Sequence, residues 1–283
     1  MCPTIGAITN TFADKTNDSR YDGTFTTVYR GNWNKAGITT PTLNNANGLP
    51  VAPGGAILSF INNDDPAIVY NVSNGAVGAG VLPGRSDFVI APSGVSRILF
   101  PGLWKLGVYR TDGAGGLGQP NAASTRPFNI AKLSELYLIA AEAAVMGAAP
   151  QGGKSARELV NVLRARAGKW RFDNNGNVVK TVDNSTAMTA ATPATIDINY
   201  ILAERSREYY GEGYRWYDLI RTQKWAELSA SYKICGTSYA DRTPVTVNRD
   251  IKPYHYLRPV PQSQFDAMIM TAEEKAVYQN PGY

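Results

Sequence analysis

Histidine and cysteine, which supply many transition-metal sites, are almost absent from this sequence. It has one histidine and two cysteines among 283 residues. Neither Cys2 nor Cys235 has a second cysteine or a histidine at the spacing of a metal site, and two cysteines cannot form a disulfide framework. His255 lies in the extended apolar segment IKPYHYLRPVP, which favours a structural role over catalysis. We therefore expect no metal site and no cofactor.

Long apolar runs and clusters of one charge are missing as well. The most apolar helical segment, LYLIAAEAAVMGAA, is interrupted by Glu142 and is shorter than the ~20 residues that a membrane span needs. No basic start followed by an apolar stretch precedes MCPTIGAITN, so no secretion signal is visible. The formal net charge is +5, but the lysines and arginines are scattered, which argues against a nucleic-acid partner.

The sequence divides into two portions of different character. Residues 1–128 are crowded with Gly, Pro, Asn and Ser between short apolar runs such as AILSFI, DFVIA and RILF, which indicates loops and short strands. GAGGLG, at 113–118, has the spacing of a phosphate-binding turn, but a helix-hostile segment follows it, so we interpret it as a loop. Residues 129–283 have the helical period instead. We expect one structural unit with these two portions.

Two consecutive helices open the second portion. The first begins near Ile130 and ends at Gly147, and the second begins at a capping box formed by Ser155 and Glu158 and ends at Gly168. Their apolar residues fall on one side each, namely Leu133, Leu136, Tyr137, Ala140, Ala141 and Ala144 in the first and Leu159, Val160, Leu163 and Ala167 in the second. A helix pair of this length resembles one tetratricopeptide-type hairpin.

Turn and cap residues place the remaining elements. WRFDNNGNVVKTV predicts a β-hairpin, because Asn-Gly between two apolar runs is typical of hairpin turns. DNNGN also resembles the start of a calcium-binding loop, but the twelfth position of that loop is not a glutamate here, so we favour the hairpin turn. Four further helical segments are predicted. They are Ile196–Glu208 with Thr195 as its N-terminal cap, Tyr214–Leu228, Ser263–Met270 and a last turn capped by Thr271 and Glu274.

The stretch ILAERSREYYGEGYRWYDLIRTQKW, at 201–225, combines many charges with many aromatic rings. Glu204 and Glu208 lie one helical turn apart, and paired carboxylates suit glycoside hydrolysis. Two side chains on the same helix face cannot easily flank a sugar from opposite sides, however. We therefore favour ion pairs that lock helix against helix, formed by Arg205, Arg207, Arg215 and Arg221 with Glu204, Glu208, Glu212 and Asp218.

Four segments stand in order between 124 and 283, namely STRPFNIAKLSELYLIAAEA, LVNVLRARAG, AERSREYYGEGYRWYDLIR, and the closing RPVPQSQF with YQNPGY. In this order they resemble the SusD/RagB family of nutrient-binding outer-membrane lipoproteins. NDSRYDGTF, at 17–25, is similar to a mid-chain segment of that family. The sequence departs from the family at Ala131 and Ser134, where Arg and Ala are frequent, and Cys2 has no apolar leader that would make it a lipid-anchored cysteine.

The resemblance implies a fold and a role. The fold would be mainly α, a tetratricopeptide-like helical scaffold with long loops and a few short strands or hairpins. The chain would correspond to the C-terminal half of a longer protein that is lipid-anchored at the outer-membrane surface, with the anchor missing here. Family members bind oligosaccharides or polysaccharides without chemistry and pass them to a SusC-like TonB-dependent transporter. We expect this non-catalytic role, and the alternatives are a protein-interaction module without its own glycan site and a glycoside hydrolase.

A glycan site needs flat aromatic faces beside polar side chains. TVYRGNWNKAG supplies Tyr29, Arg30, Asn32, Trp33 and Asn34 in a region without helical period, and these residues are the predicted ligand-binding set. The alternative is that both rings pack the loop onto the helices. A second aromatic pair, Trp104 and Tyr109, lies in an alternating strand-like run that favours inward packing.

Overall fold

The computed structural model describes residues 2–70, 78–107, 124–149, 151–236, 241 and 243–283. The helices in these ranges are α1 Arg20–Thr24, α2 Leu133–Val145, α3 Ala156–Ala167, α4 Ser185–Ala190, α5 Ile198–Glu208, α6 Tyr214–Arg221, α7 Trp225–Ser229, α8 Gln262–Asp266 and α9 Ala272–Tyr278. The strands are β1 Phe25–Thr26, β2 Val28–Arg30, β3 Leu43–Asn44, β4 Pro50–Val51, β5 Ala56–Phe60, β6 Val69–Tyr70, β7 Gly80–Val81, β8 Phe88–Ile90, β9 Gly102–Leu103, β10 Lys169–Asp173, β11 Val178–Asp183, β12 Ser231–Cys235 and β13 Pro244–Asn248.

The short strands of the first portion assemble into a mixed sheet with the order β2-β5-β8-β7-β6. β5 and β8 are parallel and the other neighbours are antiparallel. Val89 and Ile90, in the central strand β8, are completely buried. The prediction of a mainly α, tetratricopeptide-like fold is therefore wrong, because a five-stranded sheet and several two-stranded ones stand beside the helices.

The helical portion is built on α2, α3 and α5, which share one core. This core contains Leu138, Leu159, Val160, Leu163, Ile201 and Tyr209. The predicted capping box is confirmed, since the Ser155 hydroxyl accepts a hydrogen bond from the Glu158 amide at 3.3 Å and the Glu158 carboxylate accepts one from the Ser155 amide at 2.8 Å. The inward face predicted for α3 is also confirmed by its buried residues.

The face predicted for α2 is only partly right. Ala141 is buried as expected, but Leu133 and Leu136 are 69% and 63% exposed. Ser134 and Leu138 are buried instead, and the Ser134 hydroxyl lies 3.0 Å from the Tyr209 hydroxyl in a hydrogen bond. The helix is apolar on most of its circumference, so periodicity alone could not show which side meets the core. Ser134 fits this side because a neighbouring phenol satisfies its hydroxyl.

The hairpin predicted around Asn175 is confirmed as the antiparallel pair β10–β11. Asp197 caps α5 in place of Thr195, since its carboxylate accepts a hydrogen bond from the Tyr200 amide at 2.8 Å. The helix expected to run to Leu228 breaks after α6, where Gln223 has a left-handed φ of 57°.

The C-terminal segment has two short helices. α8 is shorter than the helix predicted for its region, ending at Asp266. The capping box of Thr271 and Glu274 is confirmed at the start of α9. α4 was missed, because its Ser, Thr and Ala residues carry no apolar period.

Several contacts join the two portions of the chain. Phe12 and Phe25 pack edge-on against Tyr210, with ring centroids 5.6 and 5.1 Å apart from it. The Trp170 indole donates a hydrogen bond to the Asn17 carbonyl at 3.1 Å. The division at residue 128 stays a prediction. Among the helices in the described ranges, none has both the length and the apolar character needed to cross a bilayer.

Candidate functional site

The carboxylates of α5 lie inside a cluster of guanidinium groups. Glu204 is fully buried, and its oxygens lie 2.7 Å from Arg20, 2.6 Å from Arg207 and 3.3 Å from Arg164. Glu208, 5% exposed, lies 2.5 Å from the Arg166 guanidinium. The cluster ties α1, α3 and α5 together.

This environment decides the charge state of Glu204. Burial alone would raise its pKa, but the charges of Arg20, Arg207 and Arg164 outweigh burial and hold the pKa well below its usual range. The pKa of Glu208 is likewise lowered, mainly by Arg166, against the effect of its burial. A glycosidase acid needs a raised pKa and an open face toward the sugar. Neither carboxylate has that environment, which argues against the hydrolase alternative.

The ion pairs only partly follow the predicted partners. Asp218 is 1% exposed and is paired as expected, with Arg205 at 2.7 Å and Arg221 at 2.8 Å. Glu212 pairs with Lys105 at 2.5 Å and Lys132 at 2.6 Å, two lysines that sequence reasoning did not connect to it.

Two further partners came from elsewhere in the sequence. Arg20 and Arg166 take the place of nearby arginines around Glu208. Nothing in the local sequence points to Arg20, which lies in the loop-rich portion. Arg215, by contrast, forms no ion pair within the described ranges, although it was predicted to be one of the neutralising residues.

The predicted ligand-binding residues lie at the edge of the five-stranded sheet. Tyr29 is in β2, where its ring is 38% exposed and stands edge-on to Phe60 at 6.3 Å. Trp33 begins a 3₁₀ turn, and its indole nitrogen donates a hydrogen bond to the Thr40 carbonyl at 2.8 Å. Its ring covers Gly31, where a Cβ atom would lie 2.1 Å from a ring carbon. Trp33 is thus half-buried against its own loop.

The polar members of the set differ in how they are held. Arg30 donates to the Gly54 carbonyl at 3.1 Å and to the Asn175 carbonyl in the β10–β11 turn. Asn32 and Asn34 are exposed. The structure therefore places all five residues on one short surface segment, with two amides facing solvent and one guanidinium bound to the hairpin.

Trp104 lies two residues after Gly102, which is next to the Tyr29 hydroxyl, and it does not have the inward packing predicted for it. It begins a 3₁₀ turn directly after β9 and is 39% exposed, so that prediction is wrong. The Arg126 guanidinium covers one side of its ring at 5.3 Å. Its partner in the sequence prediction, Tyr109, lies outside the described residues, as does the GAGGLG segment.

A shallow depression of about 160 Å³ joins Trp104 to the hairpin turn. Thr27, Val28, Asn174 and Asn175 line it. The turn is fixed because Asp22 accepts hydrogen bonds from the Asn174 amide at 2.9 Å and the Asn175 amide at 3.1 Å. The sequence predicts the β10–β11 turn, but it does not predict that this turn and Trp104 line the same depression.

His255 has a structural environment, as its sequence context suggested. Its Nδ1 accepts a hydrogen bond from the Lys252 amide at 3.1 Å, and its ring lies 4.5 Å from that of Tyr254. These contacts hold the 3₁₀ turn Pro253–Tyr256.

Comparison with known families agrees with the motifs in the second portion. The sequence profile of the SusD family matches residues 110–283, which is more than half of the chain. The matched region includes the pair α2–α3, the arginine-rich helices α5 and α6, and the closing segment. A search of curated proteins finds no match. The chain therefore belongs to the SusD family.

Proposed function

We propose that this chain is a glycan-binding component of a nutrient-uptake system and that a sugar chain lies across the surface formed by Tyr29, Arg30, Asn32, Trp33, Asn34 and Trp104, here named the aromatic edge. Membership of the SusD family supports glycan binding in nutrient uptake. Members of this family are typically binding proteins and not enzymes, and the paired carboxylates of α5 are held in ion pairs.

One observation carries the choice of site: the two aromatic residues Tyr29 and Trp104 remain more than a third exposed although the structure holds each of them in place. The Tyr29 hydroxyl is so close to the backbone of β9 that a Cβ at Gly102 would lie 2.7 Å from it. Trp104 is fixed between its turn and Arg126. A ring that is already ordered loses little conformational entropy when a ligand stacks on it. The face of a pyranose carries C–H groups that match such a ring.

The shape of the aromatic edge suits a polymer. The depression beside Trp104 holds about 160 Å³, whereas clefts that enclose a whole small ligand hold roughly 300–1,000 Å³. A long saccharide can use such a depression for a single ring and extend over the rest of the edge. The exposed amides of Asn32 and Asn34 can exchange hydrogen bonds with its hydroxyl groups.

A panel of neutral polysaccharides in native affinity gels, followed by calorimetry with the oligosaccharide of the best one, tests this function. We expect Tyr29→Ala and Trp104→Ala each to weaken affinity about five- to tenfold, equivalent to about 1–1.5 kcal/mol. Trp33→Ala should weaken it less, because its indole is already engaged with Thr40. Tyr217→Ala is the matched control, since Tyr217 is 64% exposed on α6 and does not line the depression beside Trp104. Equal affinity of wild type and all three edge variants would exclude this site.

We further propose that the protein delivers its glycan to a SusC-like TonB-dependent transporter at the outer-membrane surface, as the family resemblance implies. Co-purification of the transporter with the tagged protein tests this partnership. Recovery of the transporter with both wild type and Tyr29→Ala would separate transporter contact from sugar contact.

The interaction-module alternative has one observation in its favour. The outer side of α2 exposes Leu133, Leu136, Ile139 and Met146, each by more than half. Exposed apolar surface of this kind often marks a protein contact. Transporter recovery without affinity for any glycan in the panel would favour this alternative over the glycan-binding function.

A further inference from the structure

A second and much larger cleft lies on a different part of the molecule. The π-helical turn Ala7–Thr11, helices α5 and α6 and the hairpin β12–β13 enclose it. Its volume is about 880 Å³, which is within the range of roughly 300–1,000 Å³ typical of ligand sites. None of the residues that line it belongs to the aromatic edge.

The charged residues that line this cleft are mostly basic. They are Arg205, Arg215, Lys233 and Arg249, with Asp218 as the acidic residue among the described lining residues. Asp218 is already paired with both Arg205 and Arg221. The cleft wall therefore carries a positive charge that the protein does not neutralise locally, and a cleft lined by one sign of charge concentrates ligands of the other sign.

Arg215, unlike the exposed Lys233 and Arg249, is a partly buried cation of this cleft. It is half-buried, and one of its guanidinium nitrogens donates to the Leu202 carbonyl at 3.0 Å. Burial lowers its pKa, which the Asp218 carboxylate only partly offsets. In the part of the chain that the structure describes, no carboxylate forms an ion pair with it. A partly buried cation without a counterion is costly, so an anion that enters the cleft gains more from this guanidinium than from a solvated one.

Arg205 is a second, more deeply buried arginine in the wall of the cleft. It is 3% exposed, and its Nε donates to Asp218 at 2.7 Å, but its buried Nη1 has no hydrogen-bond partner. The Arg205 guanidinium packs against the Tyr209 and Tyr214 rings, at 5.2 and 5.8 Å, so it contributes positive charge to the wall and makes no direct contact with a ligand.

The mouth of the cleft combines charge with an aromatic face. The Arg249 guanidinium stands 4.3 Å from the centre of the Tyr232 ring and donates to the Ser229 carbonyl at 2.6 Å. Tyr214 and Trp216 contribute further aromatic surface to the lining. Rings together with hydroxyl groups suit a sugar, whereas the guanidinium groups suit an oxyanion.

We propose that this cleft binds a carbohydrate that carries carboxylate or sulfate groups, with Arg215 and Arg249 contacting the oxyanion and Tyr232 contacting the sugar ring. This site is independent of the aromatic edge. The protein would then bind acidic glycans in the cleft in addition to the neutral glycans proposed for the aromatic edge. Bidentate pairing of a guanidinium with a carboxylate or sulfate supplies the selectivity for acidic sugars.

Calorimetry with three probes tests the proposal: trigalacturonate, a chondroitin sulfate disaccharide and neutral maltotriose. We expect binding of at least one acidic probe at a stoichiometry of one, with affinity that falls as sodium chloride rises from 50 to 200 mM. Trigalacturonate carries carboxylates only, whereas the chondroitin sulfate disaccharide carries a sulfate in addition to a uronate carboxylate. Binding of the disaccharide without binding of trigalacturonate would therefore indicate that the sulfate is required. Arg249→Gln and Lys233→Gln should each weaken the acidic probe about tenfold, and Arg215→Gln should do so at least as strongly.

Arg258→Gln is the matched control, because Arg258 is exposed in the C-terminal segment and does not line the cleft. Thermal unfolding of each variant confirms that it is folded, and the two exposed positions Lys233 and Arg249 keep the test valid should Arg215→Gln be unstable. Absence of binding by both acidic probes, or equal loss in Arg258→Gln, would refute the proposal. Equal binding of inorganic sulfate would refute its sugar component. Tyr29→Ala should leave the affinity for the acidic probe unchanged, which separates this site from the proposed glycan function of the aromatic edge.

Discussion

Replacing Glu204 by glutamine removes one buried negative charge from the cluster of guanidinium groups around α5. The carboxylate is fully buried and lies within 3.3 Å of three guanidinium groups, those of Arg20, Arg164 and Arg207. Glutamine keeps the size of the side chain, so the change creates no cavity. It leaves three positive charges around a neutral amide whose NH₂ group cannot accept a hydrogen bond.

The loss in the free energy of unfolding depends on how many partners the three arginines keep after the substitution. Removing one member of a buried ion pair typically costs about 3–5 kcal/mol. Arg20 keeps its contact with Asp18 at 2.6 Å, and Arg164 keeps its hydrogen bond to the Met188 carbonyl at 3.0 Å. We therefore expect a loss near the lower end, about 3 kcal/mol of the free energy of unfolding.

The effect should depend on pH in a defined direction. Because the folded-state pKa of Glu204 is lowered below the unfolded value of about 4.3, its charge contributes its full stability above that pH. This contribution is lost as the pH falls through the folded pKa. The difference in stability between wild type and Glu204→Gln should therefore be constant near neutrality and shrink progressively as the pH falls below about 4.3.

Urea unfolding followed by circular dichroism at pH 7 and at steps down to pH 3 measures both effects. Glu227→Gln is the control, because Glu227 pairs with Lys224 at the surface and its replacement should leave the unfolding midpoint unchanged. A Glu204→Gln protein as stable as wild type, or one whose deficit grows on acidification, would refute the assignment of these charges to internal ion pairs.

Two further predictions concern packing, one at a joint between the two portions and one within the second portion. Asp22→Ala should destabilise the protein by about 1–3 kcal/mol, because the Asn174 amide beneath it loses its acceptor, and hydrogen exchange should speed up in that turn while other regions change less. Gly168→Ala should cost about 1–3 kcal/mol in denaturant unfolding, because a Cβ there would lie 2.8 Å from the Asn184 backbone. Gly23→Ala is its control, since a Cβ meets nothing within 4 Å, and a loss as large in this variant would contradict the packing argument.

Features that depend on neighbours in sequence could be predicted. The capping boxes at Ser155 and Thr271 and the hairpin turn at Asn175 require only residues a few positions apart, and the structure has all three. The inward face of α3 is in this class as well, because its polar face is charged and its apolar face is distinct.

Features that depend on pairing between distant parts of the chain could not be predicted from the sequence. The strands of the five-stranded sheet are two to five residues long, too short for a reliable period, and β5 pairs with β2 and β8 across loops. The exposure of Trp104 has the same cause, because the 3₁₀ turn that follows β9 turns its ring outward. Five of the six residues of the aromatic edge, all except Trp104, were found from composition alone, and their ligand stays a prediction.

The arginines of α5 and α6 show why composition cannot separate structure from function here. Arg205, Arg207, Arg215 and Arg221 stand in one stretch and were assigned one role, yet three of them pair with buried or half-buried carboxylates and Arg215 does not. The difference arises from geometry: Arg215 leaves the first turn of α6 toward the cleft, where its anchor is the Leu202 carbonyl. A carbonyl positions a guanidinium but does not neutralise it. Positive charge that a protein positions without neutralising is available to a ligand, and this distinguishes Arg215 from its neighbours.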